Sequence, residues 1–170
     1  MPKTYEPINT QTLGSAVSTV TFSSIPSTYT DLVLVVSGAM ASGSGTFAFW
    51  QANGDTATNY SYTTLHGVSS SAYSDRVTNS SQPTLNYYSD MSTTLGQNII
   101  VATWLNYSNT TTFKTTLVRS GTSTGSSFPG TTAIVEMWRS TAAINRLDIK
   151  ANGVNFAVGS TFTLYGIKAA

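Results

Sequence analysis

Short apolar runs bounded by turn-forming residues recur about every 8 to 14 positions along this chain. That rhythm constrains the fold more than any other feature. It leaves no stretch for amphipathic helices, and spaced short strands punctuated by Gly, Asn, Ser and Pro read as a sandwich or barrel. Residues 31–37 (Asp-Leu-Val-Leu-Val-Val-Ser) read as a buried central strand. Residues 46–52 run into Asn53-Gly54-Asp55, a strong hairpin signal because Asn and Gly both tolerate positive φ. The spacing predicts Tyr60 to Leu65 as the returning strand. Further strands are expected at 98–105, 111–120, 133–139, 144–150 and 161–168.

The segment from Gly67 to Gly96 is less regular and reads as loops with one or two short strands near Arg76 and Leu85. Residues 121–130 read as a Ser/Thr/Gly loop. Asn152-Gly153 predicts a hairpin or bulged connection between the last two strands. In the final run Phe162 and Leu164 point one way and Thr161, Thr163 and Tyr165 the other, so one face is buried. Trp50, Trp104 and Trp138 fall within expected strands and read as core. The fold expected is a single all-β domain, an antiparallel, jelly-roll-like β-sandwich of two sheets about 10 Å apart. Strand order does not follow from this pattern, and another Greek-key topology fits equally well. Residues 1–14 stand apart as an extended arm or edge strand, with 15–170 as the sandwich.

A chain of 170 residues buries enough surface to fold without staples. It has no cysteine, so disulfides and thiolate chemistry are excluded. Only 9% of residues are charged and the net charge is +1, against about 25% charged in ordinary domains. Lys3, Arg76, Lys114, Arg119, Arg139, Arg146, Lys150 and Lys168 are scattered, so no basic stripe for nucleic acid exists. Ser and Thr make up about three residues in ten instead. Solubility that rests on hydroxyls is insensitive to salt and pH, which suits a protein exposed to the environment. No apolar stretch approaches the ~20 residues of a membrane helix, and the start does not read as a signal peptide. Synthesis in a cytoplasm without export by the usual route is the expectation.

Chemistry-bearing constellations are sparse. His66 is the one histidine and reads as a surface loop residue, with no second His or Cys to complete a zinc site. The acids are Glu6, Asp31, Asp55, Asp75, Asp90, Glu136 and Asp148. Asp55 sits in a tight turn, and with Asn53 it lacks the spaced carboxylates of a calcium loop. Asp148, between Leu147 and Ile149, is expected on a solvent face. No nucleophile elbow or phosphate-binding loop occurs, so the chain reads as no enzyme, with no cofactor and no metal. Tyr60, Tyr62, Tyr73, Tyr87, Tyr88 and Tyr107 are expected in or beside loops. There they could form a recognition surface for sugar rings or for another subunit.

Several segments carry a resemblance. They are Thr4-Tyr5-Glu6-Pro7-Ile8, Thr12-Leu13-Gly14-Ser15-Ala16, residues 20–26, residues 28–35, Asn53-Gly54-Asp55, Asn59-Tyr60-Ser61, residues 106–111, residues 138–144 and the closing residues 159–170. Together they resemble a family of small virion proteins of tailed phages, notably phages of cyanobacteria and marine bacteria. The resemblance spans nearly the whole chain and is weakest from Gly67 to Gly96. It implies a non-enzymatic β-sandwich on the virion surface. It points to the virion surface rather than to a place on the virion; with the single domain and the extended start, the first expectation is a capsid decoration or cement subunit, with the major capsid protein and copies of itself, as a homotrimer, for partners. The arm Lys3, Thr4, Tyr5, Glu6, Pro7 and Ile8 is the expected capsid contact. The alternative is a host-recognition module of a tail or head fibre that binds surface glycan through the loop tyrosines. No nucleic acid and no membrane is expected as a partner.

Overall fold

The computed structural model describes residues 4–43, 46–68, 70–86, 91–124 and 128–168, without the side chains of 124, 128 and 129. Among these residues every regular element is a strand: β1 (Tyr5–Thr12), β2 (Thr19–Phe22), β3 (Asp31–Ser37), β4 (Ala48–Ala52), β5 (Tyr60–Val68), β6 (Ser71–Ser80), β7 (Asn98–Leu105), β8 (Lys114–Thr124), β9 (Phe128–Trp138), β10 (Leu147–Ala151) and β11 (Thr161–Ile167). An eight-stranded sheet has the order β1-β11-β3-β7-β8-β9-β5-β6, and a three-stranded sheet the order β2-β10-β4. All pairings are antiparallel. The chain is thus an all-β antiparallel sandwich. Its sheets are unequal, eight strands against three, rather than the balanced pair that a jelly roll suggests.

The small sheet packs on one face of the large one through aromatic contacts. Trp50 of β4 meets Trp104 of β7 edge-on at 5.2 Å and Tyr60 of β5 at 5.5 Å. Offset and edge-to-face geometry suits the ring quadrupoles. Phe156 and Phe162 form a second edge-on pair at 4.9 Å. All three tryptophans are buried, as expected. The alternation read in β11 also holds, with Phe162 and Leu164 buried between half-buried neighbours.

Several local expectations fail for reasons visible in the pairing. Asn53 and Gly54 do take positive φ, 54° and 72°, and the Asp55 N–H closes the turn on the Ala52 carbonyl at 2.8 Å. Yet β4 and β5 form no hairpin. Both edges of β4 are occupied, one by β10 and the other by residues 83–85, whose backbone exchanges hydrogen bonds with Trp50 and Ala48. The chain must therefore cross to the large sheet. Asn152-Gly153 behaves likewise: β10 lies between β2 and β4, so β11 pairs instead with β1 and β3.

The short strand expected near Arg76, in a region otherwise read as loops, is the 10-residue strand β6. It is an edge strand exposed along most of its length, so its sequence carries no apolar alternation to read. The expected loop at 121–130 is largely the continuation of β8 and β9, paired out to Thr124 and Phe128; residues 125–127 lie outside the described residues. Residues 5–12 of the expected arm are edge strand β1, bonded to β11 with a register shift between Pro7 and Asn9. Pro7, which lacks an N–H, and this irregularity blunt the edge against further strand addition.

Candidate functional site

The outward face of the large sheet carries apolar side chains among its polar ones across β7, β8, β9 and β5. An antiparallel sheet with one wet face ordinarily turns its polar residues outward. Here one outward row runs Thr103, Leu117, Val135, Thr63, Arg76 across successive strands. The next runs Val35, Val101, Arg119, Ala133, Leu65, Ser74. A third carries Ile99, Gly121, Thr131 and Gly67, and a fourth Leu105, Thr115, Met137 and Ser61. Leu65 is 62% exposed, Ile99 and Val135 each 53%, and Leu117 44%. These branched side chains stand on a rigid ladder, with Leu117 and Val135 directly apposed.

Two shallow depressions interrupt this face. One of about 260 Å³ is lined by Thr63, Arg76, Val135 and Met137. The other, of about 470 Å³, is lined by Ser37, Ile99, Gly121 and Ser123. Arg76 and Arg119 project from this face and are exposed. Asp31, at the start of β3, is engaged as an acceptor for the Asn106 N–H at 2.7 Å. Such a surface, with exposed aliphatic side chains set among hydroxyls and two arginines, is suited to covering by another protein rather than to binding a small polar ligand.

The arm residues lie at the edge of the same sheet, separated from β7 by β11 and β3. Lys3 lies outside the described residues. Thr4 is exposed, and its carbonyl accepts the Lys168 N–H at 3.0 Å. Tyr5 meets Tyr165 edge-on at 6.3 Å, and Tyr5 and Pro7 share their outward direction with the partners Ile167 and Tyr165. Glu6 turns inward to an ion pair with Lys168 at 2.9 Å, and Ile8 packs against the core.

The tyrosine set does not form the expected loop surface. Tyr60 and Tyr62 lie in β5 and are buried, and Tyr107 is fully buried. Tyr60 Oη accepts the Ala52 N–H at 3.1 Å and donates to the Asp55 carbonyl at 3.0 Å; burial pushes its phenol far up. Tyr107 donates to the Pro26 carbonyl. Tyr87 and Tyr88 lie outside the described residues. Tyr73 is exposed on β6 and stacks on His66 at 5.3 Å.

His66 itself corrects its expectation: it is buried in β5, with Nδ1 3.9 Å from the Asp75 carboxylate. Asp148 is also buried rather than solvent-facing, because Arg146 folds over it at 2.9 Å and Thr21 donates to it at 2.7 Å. Asp55 accepts from Trp138 Nε1 at 2.7 Å, Asn59 Nδ2 at 2.9 Å and the Ala57 N–H at 2.9 Å. Desolvation raises its pKa, but these donors outweigh it and leave the carboxyl below its ordinary value. Its acceptor capacity is spent on holding the turn. Among the described residues, no three His, Asp or Glu side chains gather into a metal-binding group.

Sequence reasoning missed the apolar residues of the outward face. The available signal was β7, where Ile99, Ile100, Val101 and Ala102 are apolar at both parities; such a strand needs cover on both faces. No protein-family model matches the chain, and no match is found among the curated proteins.

Proposed function

We propose that this chain is a non-enzymatic structural subunit of a tailed-phage virion, a decoration or cement protein whose copies bridge neighbouring major capsid proteins. The carrying observation is the apolar outward face of the eight-stranded sheet, with Leu65, Ile99, Leu117 and Val135 exposed on a rigid ladder. Exposed apolar side chains grouped in this way mark a protein contact surface. The resemblance over most of the sequence supplies the virion setting. The shell surface that fits this face is apolar and bears carboxylates for Arg76 and Arg119. Contact through the face is favoured over strand addition at β1, which is blunted by Pro7 and its register shift. Tyr5 and Pro7 extend the contact, which keeps part of the arm in the capsid-facing role. Copies grouped as a homotrimer would follow the closed symmetry usual in such assemblies. The hydroxyl-rich, charge-poor exterior suits a subunit that meets changing salt. The glycan-binding alternative keeps only Tyr73 as an exposed described tyrosine of its set, so no observation favours it.

Two measurements test this. Cryo-electron microscopy of intact particles is expected to locate the protein in many symmetric copies on the capsid, with the β7-β8-β9-β5 face against the shell. Density confined to the tail or fibre tips would overturn the decoration reading. The double substitution Leu117→Lys with Val135→Lys places charge on exposed positions, so folding should be retained. Loading onto undecorated capsids should be lost, and undiminished loading would remove this face as the contact.

A further inference from the structure

The inward face of the large sheet carries a polar row inside the core. Reading across adjacent strands, Leu32, Trp104, Thr116, Glu136 and Tyr62 are register partners in turn on β3, β7, β8, β9 and β5. Three consecutive members each bury a polar atom with no hydrogen-bond partner among the described residues: Trp104 Nε1, Thr116 Oγ1 and Glu136 Oε1. All three residues are almost completely buried. The other carboxyl oxygen, Glu136 Oε2, accepts from Trp50 Nε1 of the small sheet at 2.5 Å, and the Trp50 ring rests on Trp104. The register thus sets the three residues side by side on the inward face of the large sheet.

We infer that Trp104 Nε1, Thr116 Oγ1 and Glu136 Oε1 together bind one buried water molecule that joins β7, β8 and β9 on the inward face, beside the Glu136–Trp50 bond to the small sheet. Adjacent inward side chains on an antiparallel ladder stand about 5 Å apart at Cβ. Groups that are neighbours yet not bonded to one another leave the spacing that a bridging molecule fills. Leaving three buried polar groups without partners would cost free energy for each. The donor set selects the ligand. An indole N–H aimed at the site repels a cation, and a carboxyl oxygen beside it repels an anion. A small neutral molecule that both accepts and donates satisfies all three, and a buried water ordinarily makes about three such bonds. Burial holds the Glu136 carboxyl well above its ordinary pKa, and water serves either protonation state by accepting from Oε1–H or donating to the bare oxygen.

The test uses the intact protein in two ways. A crystal structure at about 1.5 Å resolution is expected to show one ordered solvent peak within hydrogen-bonding reach, about 2.7–3.2 Å, of all three atoms. In solution, the indole proton of Trp104 is expected to show a cross-relaxation peak to water with the sign of a long-lived bound molecule. Direct bonding of Glu136 Oε1 to Thr116 or Trp104 with no solvent peak would overturn the inference. So would a peak at metal-coordination distances, or an indole proton without water contact. None of these outcomes bears on where the protein sits on a particle.

Discussion

Gly166 and Tyr29 make a sharp test of how one end of the sandwich is closed. Gly166 lies in β11, paired with Glu6 on one side and Leu32 on the other. The Tyr29 ring lies flat against it: a Cβ added at Gly166 would fall 2.3 Å from Tyr29 Cγ and 2.4 Å from both Cδ atoms. Ordinary carbon–carbon contact is about 3.5–4 Å, so Gly166→Ala demands a separation of more than ~1 Å. The clash involves the root of the ring, so rotation about the ring axis does not relieve it. Turning the whole side chain away breaks the Tyr29 hydroxyl contact to Glu6 at 3.3 Å and removes the ring from beneath Lys168 Nζ. Gly→Ala at an unstrained position by itself stabilises by about 0.4–1 kcal/mol through the unfolded chain, so the sign depends on the ring. With overpacking at about 1–3 kcal/mol, Gly166→Ala is expected to be net destabilising by about 1–2 kcal/mol. For a domain of this size that is a fall in Tm of about 2–8 °C. In a Tyr29→Ala background the same substitution should be neutral or stabilising, giving a coupling of about 2 kcal/mol. Urea or thermal unfolding followed by tryptophan fluorescence measures all four proteins. Equal costs of Gly166→Ala with and without the Tyr29 ring would refute the reasoning.

Other consequences concern buried polar groups. Glu136 has a folded pKa raised above its unfolded value near 4.5 by burial. Below about that pH the group is neutral in both states; above it the unfolded chain ionises first, so the stability it permits declines as pH rises toward the folded value, with a limiting slope of about 1.4 kcal/mol per pH unit. Glu136→Gln should therefore be more stable than the parent at pH 7 and nearly equal at pH 4 in denaturant titrations; the same difference at both pH values would contradict this. Tyr60→Phe removes the hydroxyl that accepts the buried Ala52 N–H and should cost about 1–3 kcal/mol, whereas Tyr73→Phe, on the exposed edge strand, should stay within about 0.5 kcal/mol. Leu117→Lys with Val135→Lys should leave the free energy of unfolding within about 1 kcal/mol of the parent, checked by the same assay, because both side chains are already about half in water.

The sequence by itself determined the class of fold and most strand positions. Period-two alternation in β11 and the continuous apolar run of β3 depend only on which side chains can be buried, and each is a local property. The three tryptophans were legible as core for the same reason. Of β6 only a short strand near Arg76 was legible, because a strand exposed along most of its length imposes no pattern that marks its ends. Partners were not legible either: Asn53-Gly54 fixed a turn in both backbone angles, but whether a hairpin follows depends on which edges remain free, and both edges of β4 were taken by segments distant in sequence. The candidate site belongs to this second kind of information. Residue parity in β8 and β9 shows two faces, one with Leu117 and Val135 and one with Thr116 and Glu136. Only the position of Trp50 and the small sheet decides that Thr116 and Glu136, with Val118, Ile134 and Trp138, lie on the buried face. The same placement leaves Leu117 and Val135 in water, where they can meet a partner.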